Sequence, residues 1–495
     1  MRTLSSFIAQ LLLAAPLVSA YRWYNWEFDI TCEATSYFVP EDEHDLARFV
    51  RSHQSAQSMI KVVGNGHAFG NMTTCVDVHA TNRTSHIVSL VKLKHLHVNP
   101  DNTATIGAGW DLVDVIPELR NHGLSLFNIG SERVQNFVGA FTTGTHGTGR
   151  GLGNIASQVV GFRVMDSSGE ITVVNQTHNA DLLPAFRISL GALGIITEVT
   201  YQAQPLKYLK RTTQVINTTS KNVEEIYSAI YDQYQEHVRV LVYGPHLSWN
   251  ESTSNYTFQP QMIALWWEDT NVTDVHNCSA DYCANDCGDC NRDYFCYDEV
   301  SDAISTPPAG VCQREFSTEF EHFIPVENFV KAATDYTTFE LSQASLEKNY
   351  NNLYLLNMVR FVKEDDTWMS PVNKYNLGND SSGVFAVLNV EWTMTYNNFD
   401  TLWFGHDLAR QYIPKFGMQY NARPHWGKMS WFNETYAEFA YPHLHDFLDI
   451  QERMDPNCQF VNEFLVDHLG IHRCANAFNN TLVPSIASLK RRNSM

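Results

Sequence analysis

The stretch VVGNGHAFG, residues 62–70, decides the fold. Met59, Ile60, Val62 and Val63 have the apolar, partly β-branched character of a strand, and the strand runs into a turn in which His67 stands among Gly64, Gly66 and Gly70. Glycines at this density let a backbone curl with its N–H groups pointing inward, which forms a concavity suited to phosphate or another anion. Two further segments share the property: VGAFTTGTHGTGRGLG (138–153) and LGALGIITEV (190–199). Two nucleotide motifs are excluded. No Gly-Lys-Ser/Thr closes a P-loop, and Gly64, Gly66 and Gly70 miss the GxGxxG spacing by one residue.

Around these loops, short strands alternate with short helices. ARFVRSHQSA (47–56) reads as a helix leading to the first strand. TATIGAGW (103–110) reads as a strand turning into the helix DLVDVIPELRNHG (111–123), with Asp111 as its N-terminal cap and Gly123 ending it in the left-handed conformation. VVGFRVMDSSGEITVVN (159–175) reads as a hairpin around Ser167-Ser168-Gly169. This layout is α+β, not a row of long βαβ units. Past Pro205 the strands lengthen and aromatic residues become frequent, so a second domain is expected over 206–420, with a cysteine-rich insertion at 270–315.

The chain has 495 residues, too many for one core and suited to two domains. Its 44% hydrophobic and 18% charged residues are those of a soluble globular protein, and a formal net charge of -20 would repel phosphate backbones and anionic lipid. Nucleic acid is therefore not an expected partner. Arg2, the apolar run FIAQLLLAAPLV and the small-residue site Val18-Ser19-Ala20 read as a secretory signal over 1–20, cleaved after Ala20. The run is shorter than the roughly 20 residues of a spanning helix, and no second one follows, so a soluble, secreted protein without a membrane span is expected. Sequons begin at Asn71, Asn82, Asn175, Asn217, Asn250, Asn255, Asn271, Asn277, Asn379, Asn433 and Asn479, roughly twice the chance density, which suits a glycoprotein. The ten cysteines fit an oxidising compartment. The stretch from Cys278 to Cys312 holds six of them, and Cys287 and Cys290 make a CxxC. Zinc is the competing reading there, but histidines at ligand spacing are missing, which leaves disulfides of undetermined pairing.

Val62 to Thr197 resembles the FAD-binding domain of the vanillyl-alcohol-oxidase-type (p-cresol methylhydroxylase-type) family, most of all its sugar-1,4-lactone oxidases, which include L-gulonolactone oxidases, and its alditol oxidases. The likeness rests on Gly66-His67, GTHGTG (144–149), GALGIIT (191–197), ARPHWGK (422–428) and DPNCQFVNEFL (455–465). It implies a two-domain α+β fold: an FAD-binding domain over 21–205, a mixed-sheet substrate or cap domain over 206–420 with the disulfide-rich insertion, a segment over 421–475 that completes the active site, and a tail over 476–495. It also implies FAD as cofactor, bound covalently from the imidazole of His67 to the 8α carbon of the flavin. A neutral imidazole is a competent nucleophile, and a tether prevents cofactor loss after export. Relatives with a second, cysteinyl tether carry Cys before the second glycine loop; SERVQNFVGA (131–140) has none, so one tether is expected. By the same likeness Gly64, Asn65, Gly66, Ala68 and Phe69 surround the cofactor with His67. Gly139, Thr142, Thr143, Gly144, Thr145, His146, Gly147 and Thr148 line the flavin and its phosphates, and Gly194 and Ile195 meet the adenosine end. A glycan on Asn71 would crowd this site.

At the other end of the chain the resemblance assigns Lys428 to the flavin, where a cation favours the charge that develops on reduction. His425 orients that lysine or binds substrate. Arg360, in NMVRFVKEDDTWMSP (357–371), matches an arginine that holds a hydroxyl or lactone oxygen over the flavin. The chain departs from the pattern nearby. Many relatives carry Glu where this chain has Met358, and a histidine of alditol oxidases aligns with Asn389. The general base is therefore unassigned, with Glu391 and Glu321 as candidates. The resulting expectation is an oxidase of aldonolactones or related small carbohydrates that passes electrons to O2 and releases hydrogen peroxide. Its rivals are a flavin dehydrogenase with another acceptor and a secreted binding protein that kept the fold. The sequence leaves the oligomeric state open.

Overall fold

A computed structural model of the chain describes residues 21–28, 30–75, 83–218, 221–233, 237–244, 247–250, 255–258, 261–273, 275, 278, 294–304, 317–346, 354–378, 380–393, 410–411 and 416–475. The expected signal segment, the tail 476–495, and Cys283, Cys287, Cys290 and Cys312 of the insertion lie outside these residues.

The first domain is built on two main sheets, with two-stranded pairs Tyr21–Tyr24 with Thr31–Ala34 and Leu124–Ser125 with Gln204–Pro205 beside them. A parallel one has the order Ser36–Phe38, β2 (Thr84–Val88), β1 (Ser58–Val62), and β1 leads directly into the first glycine loop. Helix α1 (Glu43–Ser52) makes the crossover within it. It starts four residues earlier than the expected 47–56, because Asp42 caps it by accepting the Asp45 N–H at 2.7 Å and Glu43 and Asp45 follow in the first turn. Leu46, Ala47 and Val50 form its buried face. The second sheet is antiparallel and five-stranded, built on β3 (Thr103–Gly107), β4 (Val159–Met165) and β5 (Ile195–Gln202), with Leu96–Val98 and Ile171–Asn175 at its edges. Helix α2 (Leu112–Asn121) ends as expected at Gly123, whose φ is 71°. Asp111 occupies its N-cap position without a capping side-chain bond; its carbonyl accepts the first helical bond from Val115 at 2.9 Å.

The second domain is an eight-stranded sheet. Its order is Tyr294–Glu299, Tyr208–Ile216, Gln261–Asp269, β6 (Val238–Gly244), β8 (Tyr354–Lys363), β9 (Val384–Thr393), β7 (Ser317–Pro325), β10 (Arg423–Pro424). The expected mixture of strand directions is not found among the described strands of this sheet, which pair antiparallel throughout; parallel ladders occur in the small sheet around β1, and single parallel bridges join Gly149 to Val362 and Asp365 to Asn373. Parallel neighbours need long crossovers, and α1 supplies one only in the first domain.

Alternation along the strands assigns the two faces. Phe320 and Phe361 face the helices α4 (Val223–Gln233) and α5 (Phe329–Leu346): the Phe320 ring lies 5.3 Å from Tyr336, and Phe361 6.2 Å from Phe329. Glu319, Glu321, Met358 and Arg360 consequently share the opposite face.

The chain then returns to the first domain. Gln459 accepts the Ile60 N–H at 2.8 Å, Arg83 donates to the Cys458 carbonyl at 2.8 Å, and Phe460 joins the cluster of Leu46, Val50 and Ile60. Helices α6 (Leu444–Met454) and α7 (Glu463–Leu469) complete the fold. Disulfides join Cys32 to Cys75, Cys278 to Cys296 and Cys458 to Cys474, and all six of these described cysteines are bridged. Among the described residues no helix is long and apolar enough to cross a membrane.

Candidate active site

The first glycine loop is held on three sides. Trp26 donates its N–H to the Gly66 carbonyl at 3.1 Å, and the Asn25 amide reaches the Ala68 carbonyl at 3.4 Å. Asn65 donates to the Val134 carbonyl at 2.6 Å, and Gly64 packs so closely on Asn136 that a Cβ would lie 2.5 Å from that side chain. Phe69 donates to the Gly427 carbonyl at 2.9 Å. Gly66 itself has φ 69°, a left-handed conformation that other residues resist.

His67 lies in this loop with its ring stacked 5.2 Å from Trp26. Burial and then the charge of Lys428 push its pKa down to about 4, so the imidazole is neutral at physiological pH. Lys428 lies 4.6 Å over the Phe69 ring and forms an ion pair with Glu319. Residues 361 positions apart in sequence, 67 and 428, therefore share one electrostatic neighbourhood.

The second loop serves more than one purpose. Asn136 caps α3 (Phe137–Thr142) by accepting the Gly139 N–H at 3.0 Å, and the Thr142 and Thr143 hydroxyls donate back to the carbonyls of Val138 and Gly139. Gly144 follows with φ 85°. Thr145 is buried, with its N–H on the Ala140 carbonyl at 3.0 Å. Thr148 is committed across the domain boundary: its hydroxyl donates to the Val238 carbonyl and accepts the Phe361 N–H at 3.2 Å. Gly147 must be glycine because a Cβ would fall 1.9 Å from the Asn128 amide oxygen. In the third loop, a Cβ on Gly194 would meet the Met165 carbonyl at 2.6 Å, and Ile195 is buried against α1 and β1. Any contact of these two with a cofactor is thus made by backbone.

Beneath the second loop lies a sealed charge cluster. His146 Nε2 bonds Glu321 at 2.8 Å, and Arg360 forms an ion pair with the same carboxylate. Burial opposes ionisation of Glu321, but Arg360 and His146 outweigh it and hold the carboxyl well below the usual range. His425 joins them: its Nδ1 accepts the Gly427 N–H at 2.9 Å, and burial pushes its pKa down to about 3, which leaves a neutral ring with the proton on Nε2. Its backbone N–H donates to the Glu321 carbonyl at 2.9 Å, which aligns the His-Trp-Gly-Lys segment with β7. Trp426 is fully buried, its indole N–H on the Met369 carbonyl at 2.7 Å.

Glu319 is the residue that sequence reasoning passed over. It lies two positions before Glu321 on β7, and it binds Lys428 with one carboxylate oxygen and the Asn389 amide with the other at 2.6 Å. Its side chain is 15% exposed against 1% for Glu321. The strand period of two was the available signal, since it puts both carboxylates on one face. Glu391, the other candidate, sits opposite Glu319 in the register, while Met358, Asn389 and Glu321 form one cross-strand row.

Three features of the chemistry fit FAD: a neutral, half-buried imidazole in a glycine loop, an ammonium in its field, and a buried ammonium, Lys61, without a hydrogen-bond partner beside the third loop. Comparisons with known proteins agree. Residues 34–175 match the family described as FAD binding domain, and residues 357–468 match the D-arabinono-1,4-lactone oxidase family. The chain is 26% identical over 459 residues to the L-gulonolactone oxidase of Mus musculus, covering 90% of this chain and 97% of that protein. It is 24% identical to the L-gulono-1,4-lactone dehydrogenase of Mycobacterium tuberculosis, covering 90% and 99%. The crystal structure of cholesterol oxidase from B. sterolicum superposes with a TM-score of 0.67 at 14% identity, covering 90% of this chain and 96% of that one. These findings define an FAD-dependent oxidoreductase of the vanillyl-alcohol-oxidase type. Within that type the chain is similar to the sugar-1,4-lactone oxidases.

Proposed function

We propose that the protein is a secreted oxidase of aldonolactones or closely related small carbohydrates that uses O2 as acceptor and holds FAD through His67. The observation that carries this reading is the overlap of the lactone-oxidase match, 357–468, with the two segments that bring Arg360 and Lys428 to one sheet face near His67. Held by His67 and the glycine loops, FAD would supply acceptance of a hydride from the carbon bearing the substrate hydroxyl, and O2 with the two electrons and two protons would become hydrogen peroxide.

The chain's own residues prepare that exchange. Glu321 fixes the Arg360 guanidinium, whose fork holds the lactone or hydroxyl oxygen. Lys428 supplies positive charge beside the cofactor. Glu319, the more exposed of the two carboxylates on that face, takes the hydroxyl proton. The neutral His425 keeps the Lys428 loop in register through its bond from Gly427. Met358 shortens the polar row at the position where relatives carry Glu, which favours a substrate with fewer free hydroxyls, a lactone over a polyol.

The test is a spectrum of the purified protein followed by anaerobic addition of L-gulono-1,4-lactone, D-arabinono-1,4-lactone and alditols. Bleaching by a lactone, with peroxide formed on readmitting air, is the expected result. Bleaching without peroxide would favour the dehydrogenase reading that the Mycobacterium tuberculosis relative's name suggests. Bleaching by alditols alone would overturn the lactone assignment. Export is tested by the mature N-terminus, expected at Tyr21.

A further inference from the structure

Lys61 is the penultimate residue of β1, three residues before Gly64. The residue is 4% exposed, and its Nζ has no hydrogen-bond partner in the structure. Strand alternation sends it to the side of Met59 and Val63, which belong to the main core, and away from Ile60 and Val62, which pack with α1. There its head meets the third glycine loop: a Cβ on Gly191 would lie 3.7 Å from Nζ. Leu190 and Gly191 are consecutive left-handed residues, with φ 56° and 67°, and the buried hydroxyl of Ser189 beside them also lacks a partner.

A buried ammonium with no counter-charge is costly, and one partner's removal from a buried pair is among the largest penalties known. Burial alone acts on Lys61 and pushes it down to about 8, so the group is still cationic at neutral pH. Among the described residues no carboxylate acts on it; FAD carries a diphosphate. A lysine engages phosphate as a point charge, and this one stands between two glycine turns that admit close backbone approach.

We propose that Lys61 is the counter-cation of the FAD diphosphate, built into the strand that delivers His67. This rests on FAD as the cofactor and adds the residue that neutralises its anionic half. Lys61 is a cofactor-binding residue and takes no part in the carbohydrate chemistry.

The test uses the full chain carrying His67→Ala, so that flavin is exchangeable, with and without Lys61→Met. FAD and riboflavin, which lacks phosphate, are titrated separately by quenching of flavin fluorescence. Lys61→Met is expected to weaken FAD binding by ~10–100-fold while leaving riboflavin binding unchanged. It is also expected to raise the melting temperature of the flavin-free protein, because it removes an uncompensated buried charge. Lys61→Arg should retain the preference for FAD. Equal weakening of FAD and riboflavin, an unchanged FAD affinity, or a lowered melting temperature of the flavin-free protein would each overturn the proposal. Absence of any preference for FAD over riboflavin in the His67→Ala protein itself would show that the diphosphate is not bound here at all.

Discussion

The carboxylates Glu319 and Glu321 are two positions apart on one strand face, yet their surroundings give them different work. Glu321 is enclosed with Arg360 and His146, so Glu321→Gln strands two buried partners and is expected to cost about 3–5 kcal/mol of stability, read from the denaturant midpoint. Glu319 is partly open, so Glu319→Gln should leave stability within about 1 kcal/mol. Its effect should fall on turnover, with kcat reduced ~10²–10⁴-fold. Comparable stability losses in both variants would remove Glu319 from the role of base. His67 offers a separate check: after His67→Ala, flavin should stay in the supernatant when the protein is precipitated with acid, whereas the parent pellet is yellow. At this scale the sequence was informative where chemistry is carried by rare residues in fixed settings, as with Gly66-His67 and His425-Trp426-Gly427-Lys428. It was silent on which hydroxyls face inward. Thr148 reads like its neighbours in GTHGTG, but its hydroxyl is spent on Val238 and Phe361, ninety and more positions away.

The elements that place these residues depend on a few side chains serving two segments at once. Asn462 caps α7 by accepting the Leu465 N–H at 3.2 Å, and its amide donates toward the carbonyls of Asn71, Met72 and Thr74 at 3.3, 3.0 and 3.1 Å. One residue thereby starts a helix and fastens the turn that follows the first glycine loop. Asn462→Ala removes a cap worth about 1 kcal/mol and leaves a buried acceptor short of its donor at about 1–3 kcal/mol more. A loss below about 1 kcal/mol in denaturant unfolding would mean that the amide is not shared as described. The strands were legible from their period of two, and the hairpin of β4 with Ile171–Asn175 came through as read. The direction of pairing in the large sheet did not, because alternation reports which face is buried and says nothing of which neighbour lies alongside. For the same reason the row Met358, Asn389, Glu321 was invisible in one dimension: β7, β8 and β9 are separated by long stretches, and register alone brings these residues together.

Across the described residues, seven wholly or partly buried histidines share a direction of titration, His146 and His468 being lowered along with five whose shift is large. Burial pushes His67, His86 and His237 down to about 4 and His322 and His425 to about 3, whereas the unfolded chain protonates them near 6.5. Between these values the unfolded state binds more protons, so their contribution is complete above pH 6.5 and is lost as pH falls toward 4 and 3. Asp365 and Asp455, raised by burial to about 6, act the other way between 3.8 and 6 but are outnumbered. Melting temperature is therefore expected to fall on acidification from pH 7 to pH 5, and a rise would contradict the buried, neutral state of these rings. The pairing of distant motifs could be read from the sequence, since each half carries its own signature. The closure of the first domain by the last could not, because Gln459 and Phe460 enter it through a backbone bond to Ile60 and a share of its apolar cluster. That closure sets an order of events during synthesis. A ribosome that has finished Thr197 has made all three glycine loops but not the edge the first one leans on, which emerges about 260 residues later. Maturation must wait for release of the nascent chain, and a stop codon anywhere between positions 206 and 455 should yield colourless, protease-sensitive fragments instead of a smaller pigmented domain.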